Sequence, residues 1–267
     1  MLRKLVGVVG VASLLIGASL SAASAADMPL KAPPPAPWYD WTGFYVGVNA
    51  GYSWGNSSTS YTGTGTGFAP FTTSQKMNGG LGGGQIGYNW QFNRNWLFGL
   101  EADIQGTGQQ GSASFPPVTT TVAGVAVTTI TSSGTLTQKL PWFGTVRARL
   151  GIEPTDHWLV YATGGLAYGG INSTASITTT VASPGGTATA VTSGSNNTTR
   201  AGWTIGAGVE GVISGPWTAK LEYLYMDFGN VGTGFVGPGA GAYTTLGASS
   251  HVTDNVLRVG LNYHFPK

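Results

Sequence analysis

The chain has 267 residues, of which charged residues make up only 8%, whereas soluble globular domains carry about 25%. It contains no cysteine, which excludes disulfides, thiol chemistry and a lipid anchor on an N-terminal cysteine. Without Arg3 and Lys4, which lie in the leader described next, basic and acidic residues are equal in number, so the charge gives no indication of nucleic-acid binding.

The first 41 residues predict export and a linker. Arg3 and Lys4 precede an uncharged stretch that ends near Ile16, and Ala23-Ser24-Ala25 is a typical cleavage site, so we expect residues 1–25 to be a cleaved signal peptide. The stretch is shorter than the roughly 20 apolar residues that a membrane-spanning helix needs. Residues 26–41 are proline-rich and predict a periplasmic linker. We expect residues 42–267 to form one domain.

Beyond the linker, apolar residues alternate with small or polar ones, which is the period of a β-strand. In the first segment, the alternating set that begins with Phe44, Val46 and Val48 ends at Trp54. Seven further segments show the same period: 85–92, 96–105, 142–152, 158–168, 203–210, 217–225 and 257–265. No run of about 18 apolar residues occurs in this part of the chain, which excludes transmembrane helices.

The connections between the segments alternate in length. Three are short (93–95, 153–157 and 214–216) and four are long (55–79, 107–138, 171–200 and 229–253). Short periplasmic turns and long extracellular loops are typical of bacterial outer-membrane barrels. We therefore predict an all-β fold, an eight-stranded antiparallel up-and-down transmembrane β-barrel. Within the third long connection, Pro184-Gly185-Gly186 predicts a hairpin turn between 175–181 and 187–192.

Tryptophans mark both ends of the predicted strands. Those next to the short turns are Trp90, Trp96, Trp158 and Trp217, and those next to the long connections are Trp54, Trp142 and Trp203. Two aromatic girdles are what the two lipid–water interfaces favour. The alternative fold is a soluble lipocalin-like barrel, in which the apolar set would point inward and the polar set outward.

The other face of the strands carries the charges. The alternation places one balanced set inside the barrel: Glu101, Asp103, Arg147, Arg149, Glu210, Lys220, Glu222 and Arg258. This set could line an ion-gated narrow pore, or it could form a salt-bridged core that closes the lumen. The interior of an eight-stranded barrel is only wide enough to be filled by side chains, which favours the closed core.

Other candidate sites are weak. The glycine-rich segment 79–84 lacks the lysine of a phosphate-binding loop. The three histidines are not at metal-ligand spacing: His157, His251 and His264. The local set that could suggest catalysis lies in a polar loop: His251 with Ser249, Ser250 and Asp254. We therefore expect no catalytic, cofactor-binding or metal site, and no enzymatic activity.

Several motifs resemble one family. The segments 41–47 (WTGFYVG), 82–91 (GGGQIGYNWQ) and 220–229 (KLEYLYMDFG) are similar to those of small porin-like surface proteins of alphaproteobacteria, in the opacity-type and OmpA-like barrel superfamily. The last strand resembles the signal that the barrel-insertion machinery reads: Leu257, Val259, Leu261, Tyr263 and Phe265. That signal usually ends on its aromatic residue, whereas here Pro266-Lys267 follow.

The resemblance implies an exported surface protein of the Gram-negative outer membrane. Family members are linked to envelope integrity, adhesion or host contact, some are called porins, and a few are described as binding haem. Two hypotheses follow: a structural and surface-interaction barrel, or a small-solute porin or haem/ligand-uptake barrel. The implied partners are outer-membrane lipid and lipopolysaccharide, the insertion machinery, and host or surface ligands of the loops. A closed barrel leaves no sheet edge, so we expect a monomer.

Overall fold

The computed structural model describes residues 39–64, 71–122, 127–235 and 245–266. The predicted signal peptide and most of the predicted linker lie outside these residues. The described part forms a closed antiparallel barrel in which every strand pairs with its neighbours in sequence and β1 pairs with β8. The eight strands are β1 (Gly43–Thr64), β2 (Phe71–Gln91), β3 (Trp96–Val122), β4 (Thr128–Thr155), β5 (Trp158–Ser183), β6 (Gly186–Ser214), β7 (Trp217–Phe235) and β8 (Thr245–His264).

The predicted fold is therefore confirmed, and its faces are those of the membrane barrel rather than the lipocalin-like alternative. Apolar side chains such as Val48, Leu100 and Val259 are exposed on the outside, whereas Glu101 and Arg258 on the neighbouring positions are buried. Among the described residues, no helix has the length and apolarity needed to cross a membrane.

The three short turns define one end of the barrel, which we call the turn end; the opposite end is the loop end. In the first turn, the side-chain oxygen of Asn93 accepts hydrogen bonds from the backbone N–H groups of Asn95 and Trp96, at 2.9 and 3.0 Å. An asparagine side chain that closes its own turn in this way reverses the chain within three residues. The third turn uses Gly215, which has a φ of +53°.

The long connections differ from the expectation of loops, because most of their residues continue the strands. The β5–β6 ladder runs without a register shift from Trp158↔Gly211 to Ser183↔Gly186, with a turn at Pro184-Gly185, as the sequence predicted. One cause is composition, because Thr, Val and Ser favour extended backbone. A second is backbone hydrogen bonding: once a hairpin has started, each further pair of residues satisfies two more backbone groups.

At the loop end the barrel divides into two sheets. The β2–β3 ladder ends at Asn78↔Gln110 and the β6–β7 ladder at Trp203↔Asp227, whereas the other ladders continue. We call the resulting sheets the β3–β6 sheet (β3, β4, β5, β6) and the β7–β2 sheet (β7, β8, β1, β2). Their inner faces touch through the side chain of Gln138, which donates to Ser250 at 3.2 Å and accepts from Gln75. The loop end thus resembles a small two-sheet sandwich.

Two aromatic side chains lie across the lumen only because a glycine faces them. A Cβ on Gly87 would come within 2.2 Å of the Tyr45 hydroxyl and 2.3 Å of its ring, and a Cβ on Gly208 would come within 2.6 Å of the Tyr161 hydroxyl. Tyr45 has little freedom to move, since its hydroxyl donates to Glu101 at 2.7 Å and its ring stacks on His264.

We predict that Gly87→Ala lowers the free energy of unfolding by about 1–3 kcal/mol, the usual cost of overpacking. Gly82→Ala in the same strand is the matched control, because its Cβ would meet only a backbone oxygen at 3.7 Å; its effect should stay within about 0.5 kcal/mol. Urea unfolding of refolded protein measures both. Equal midpoints for the two variants would contradict the close approach of Tyr45.

Candidate functional site

The inward-pointing charges converge on one layer in the middle of the barrel, which we call the charge layer. Its members are Glu101, Asp103, Arg147, Arg149, Glu210, Lys220, Glu222 and Arg258, and each is at most 5% exposed. The layer contains as many carboxylates as cations. The strands β3, β4, β6, β7 and β8 contribute its members, so residues far apart in sequence meet across the lumen.

Arg147 is the centre of the layer. Its guanidinium lies 2.9 Å from Glu222 and 3.0 Å from Asp103, and it also contacts Glu101. Arg258 lies 2.8 Å from Asp103 and 2.6 Å from Glu222. Because each of these carboxylates faces more than one cation, the loss of a single contact leaves none of them without an opposite charge.

A second group of contacts lies towards the turn end. Arg149 contacts Glu210 at 3.0 Å, and its guanidinium lies over the rings of Tyr45 and Tyr161, 4.7 and 5.2 Å from their centroids. Glu210 also accepts hydrogen bonds from Thr218 and Asn262. The cation is therefore held by a carboxylate on one side and by two aromatic faces, a favourable arrangement for guanidinium groups.

The charge layer can hold the barrel together, because removing an ion from water costs several kcal/mol unless partners compensate it. Here the partners lie on strands that face each other across the lumen. Tyr161 on β5 extends the layer further by donating a hydrogen bond to Glu222 at 3.1 Å. The layer leaves the strands little freedom to separate, and its side chains occupy the width of the lumen.

An aromatic cluster lies inside the turn end of the lumen. Trp41 is fully buried and packs with Leu97, Leu159 and Tyr161. Its backbone N–H donates to the Gln91 side chain at 3.1 Å. Trp41 is the last residue of the segment predicted as a linker, so the end of that segment lies in the mouth of the barrel.

A layer of apolar side chains lies inside the barrel towards the loop end, and the sequence analysis missed it. This apolar layer consists of Met77, Leu81, Leu140, Phe143, Ala167, Ile171, Leu224, Met226, Phe228, Val231, Val252 and Val256. The alternation did hold a signal for it: Leu224 and Met226 continue the inward positions of Lys220 and Glu222. Where both faces of a strand are apolar, as here, apolar and polar residues no longer alternate. Only the two-residue spacing, counted from the charged residues earlier in the strand, then shows which side chains face inward.

The tryptophans predicted as girdles lie on the outside in two groups. At the turn end, Trp90 stacks on Phe98, and Trp217 makes an edge contact with Tyr263. At the loop end the aromatic contacts are Trp54–Tyr223, Trp142–Tyr168 and Trp203–Tyr225. The other two tryptophans, Trp96 and Trp158, are 47% and 53% exposed at the turn end.

The remaining candidate residues do not assemble into a reactive site. His251 lies 3.4 Å from Asp227 at the surface, whereas Asp254 accepts a hydrogen bond from Gln109 inside the barrel, so the suggested catalytic set is divided between two faces of β8. Within the described ranges, no three His, Cys, Asp or Glu side chains are placed to hold a metal ion.

The last strand lies between its two neighbours with its predicted insertion residues outward. Leu257, Val259 and Leu261 are exposed. Beyond the strand, the Phe265 backbone N–H donates to the Phe44 carbonyl at 2.9 Å, which completes the closure of β8 on β1.

Comparisons with known proteins identify what this chain is similar to. A family model described as the outer membrane protein beta-barrel domain matches residues 12–265. The 31 kDa outer-membrane immunogenic protein of Brucella melitensis is 35% identical over 92% of this chain and 94% of its own length. The 22 kDa outer membrane protein of Rhizobium leguminosarum bv. viciae is 28% identical over 73% of this chain and 68% of its own. The solved structure of OprG from Pseudomonas aeruginosa covers 84% of this chain and 97% of its own, at 12% identity and a TM-score of 0.44.

The Arg149–Glu210 pair gives a direct test of the charge layer. We predict that Arg149→Gln and Glu210→Gln each lower the free energy of unfolding by about 3–5 kcal/mol, because each leaves a buried charge without its nearest opposite charge. The double variant should cost clearly less than the two losses combined. The matched control is the Arg94–Asp156 pair, 3.6 Å apart at the surface, for which a coupling of about 0–1 kcal/mol is expected. Urea unfolding measures both cycles, and additive losses for the buried pair would contradict the prediction.

Glu153 makes the turn end sensitive to pH. Its backbone N–H donates to the Asn95 carbonyl, which places it near the end of β4, opposite the first short turn. Burial, with the nearby carboxylates of Asp156 and Asp40, raises the pKa of Glu153 to about 7. The folded protein thus keeps a proton that the unfolded chain loses near its ordinary pKa of 4.5, so this stabilisation is present at low pH and is lost as the pH rises through about 7.

We therefore predict that the thermal midpoint of the wild type falls more between pH 5 and pH 8 than that of Glu153→Gln. The glutamine stays neutral and keeps the side-chain oxygen that accepts a hydrogen bond from the Gln91 amide. Melting curves of both proteins in the same detergent provide the measurement. Asp156→Asn is a second variant, because the loss of one repelling carboxylate should flatten the pH dependence in part. Parallel pH profiles for the wild type and Glu153→Gln would show that the carboxyl titrates in its ordinary range.

Proposed function

This chain belongs to the outer membrane protein β-barrel domain family and is located in the bacterial outer membrane, and from this premise we propose that it is a closed barrel that stabilises the envelope and presents two sheets for contacts at the cell surface. On this proposal it binds outer-membrane lipid and lipopolysaccharide on its outer face, it has no catalytic role, and it does not conduct solutes.

The charge layer is the observation that best supports the proposal that the lumen is closed. An eight-stranded barrel has room for side chains rather than a channel, and here that room is occupied by paired charges that are at most 5% exposed. The aromatic cluster around Trp41 lies on one side of the charge layer and the apolar layer on the other. A hydrated ion would have to displace all three in turn, which supports closure over the narrow pore.

The outer face supports the envelope role. Apolar side chains such as Leu166, Ile205 and Val259 are more than half exposed in the isolated chain, and they lie between the two aromatic girdles. Burying them in lipid is favourable at roughly 25 cal/mol per Å², while the tryptophans anchor both interfaces. The outward residues of β8 are the part that we propose the insertion machinery recognises.

The loop end supports the surface role. Thr, Ser, Gly and Ala dominate the strands that extend past the girdle, so they present backbone and short polar side chains rather than charge. Segments of this kind suit host or surface ligands that bind through many weak contacts. The relatives named outer-membrane immunogenic proteins are in keeping with an exposed loop end.

Planar-bilayer recording of pure refolded protein tests this function. We predict no steady conductance for the wild type, and none for Trp41→Ala or Arg147→Ala taken singly, because in each variant two of the three layers still fill the lumen. Arg147→Ala should nevertheless unfold at a clearly lower urea concentration. Steady ion conductance of the wild type would overturn the closed barrel and favour the small-solute porin or ligand-uptake alternative.

A further inference from the structure

Strand β6 has a long edge without a partner among the described residues. β6 pairs with β5 from Gly186 to Gly211, but its ladder with β7 ends at Trp203↔Asp227. From Gly186 to Arg200 no described strand pairs with the other side of β6. At about 3.3 Å per residue, this edge is roughly 50 Å long.

The direction of the backbone groups along this edge follows from one hydrogen bond. The Val212 N–H donates to the His157 carbonyl on the β5 side, and the β5–β6 register has no shift between there and Ser183↔Gly186. Since N–H direction alternates along a strand, even-numbered amides of β6 face β5. The odd-numbered amides therefore face the free edge: Thr187, Thr189, Val191, Ser193, Ser195, Asn197 and Thr199.

The other three free edges carry features that discourage pairing. The β3 edge contains Pro116 and Pro117, which cannot donate a backbone hydrogen bond. The β2 edge is short and carries Lys76, and the β7 edge begins at a bulge between Asp227 and Asn230. Proline, charge and bulges are how proteins protect exposed edges. Residues 187–199 of β6 contain no proline and no charge.

Composition and direction favour a second copy of this chain as the partner. An uncharged edge meets its own copy without like-charge repulsion, and Thr and Ser pair well across neighbouring strands.

The direction of the strands depends on where the two copies stand. Two copies in one membrane, related by an axis along the membrane normal, would place their β6 strands parallel. Copies in two facing membranes place them antiparallel, which is the more stable ladder. The strand reaches far enough, because β5 runs about 50 Å from Tyr168 in the girdle to Ser183.

We propose that the free edge of β6 pairs antiparallel, main chain to main chain, with the same edge of a second copy that stands in a facing membrane, so that the protein joins two membrane surfaces. The contact uses only the loop end, and it is independent of whether the lumen conducts.

Hydrogen exchange of monomeric protein in detergent tests whether the edge is free. We expect the odd-numbered amides from Thr187 to Thr199 to exchange at least about a hundredfold faster than the even-numbered ones, which bond to β5. Equal protection of both sets would mean that the edge is already covered, and this would overturn the proposal.

Clustering of proteoliposomes tests the partner. Wild-type vesicles should cluster with one another but should not recruit protein-free vesicles of the same lipid. Thr189→Pro removes a free-edge donor, and Val191→Lys adds a charge at the edge, so both should slow clustering about tenfold or more.

Thr178→Lys is the matched control. Thr178 lies directly opposite Val191 on β5, and Ser133 of β4 pairs with it on its other side. The variant adds the same charge at the same height without touching a free edge, so it should cluster like the wild type. Circular dichroism and melting curves would establish that every variant is folded.

Three outcomes of the clustering experiment would also overturn the proposal. Wild-type vesicles that stay dispersed would exclude pairing between facing copies. Recruitment of protein-free vesicles would show that the loop end binds lipid instead. Equal slowing by Thr178→Lys and Val191→Lys would mean that added charge, and not a blocked edge, reduces contact.

Discussion

The requirement that the ions of the charge layer meet opposite charges governs this barrel. Turned towards lipid near the middle of the bilayer, Arg147 would cost roughly 2–4 kcal/mol, so the strands hold the register that points it inward. Inside, Glu222 and Asp103 compensate it at 2.9 and 3.0 Å. The register in turn places Leu100 and Val146 on the outside. One electrostatic constraint thus determines both the filled lumen and the apolar surface.

Much of this architecture could be predicted from the sequence, because a strand has a period of two and a barrel has only two faces. The alternation around Glu101 and Arg147 gives their inward direction, and the contrast between 93–95 and 107–138 gives the up-and-down topology. Which carboxylate meets which cation could not be predicted. Those contacts, such as Arg258 with Asp103, depend on the stagger of strands that are distant in sequence.

Two features were not predicted from the sequence, and the reasons are physical. Inside the loop end, Leu224 and Met226 are apolar although they face inward, because there the interior is bounded by two packed sheets rather than by ions. The division into two sheets depends on where the ladders end, at Asn78↔Gln110 and Trp203↔Asp227. The composition changes near Trp203, but it does not show which of the two neighbouring ladders ends there, so only the three-dimensional register reveals the division.

The charge layer also bears on how the chain enters a membrane. Arg147 on β4 meets Asp103 on the neighbouring strand β3, but it reaches Glu222 only on β7, and Arg258 on β8 reaches across to Asp103 on β3. The charge layer is therefore complete only when the last strand is in place, and a barrel without β7 and β8 would leave part of its charges uncompensated in hydrocarbon, where they are expensive. Closure of the barrel and compensation of its charges are thus coupled, which favours insertion of the complete ring over insertion of a part of it.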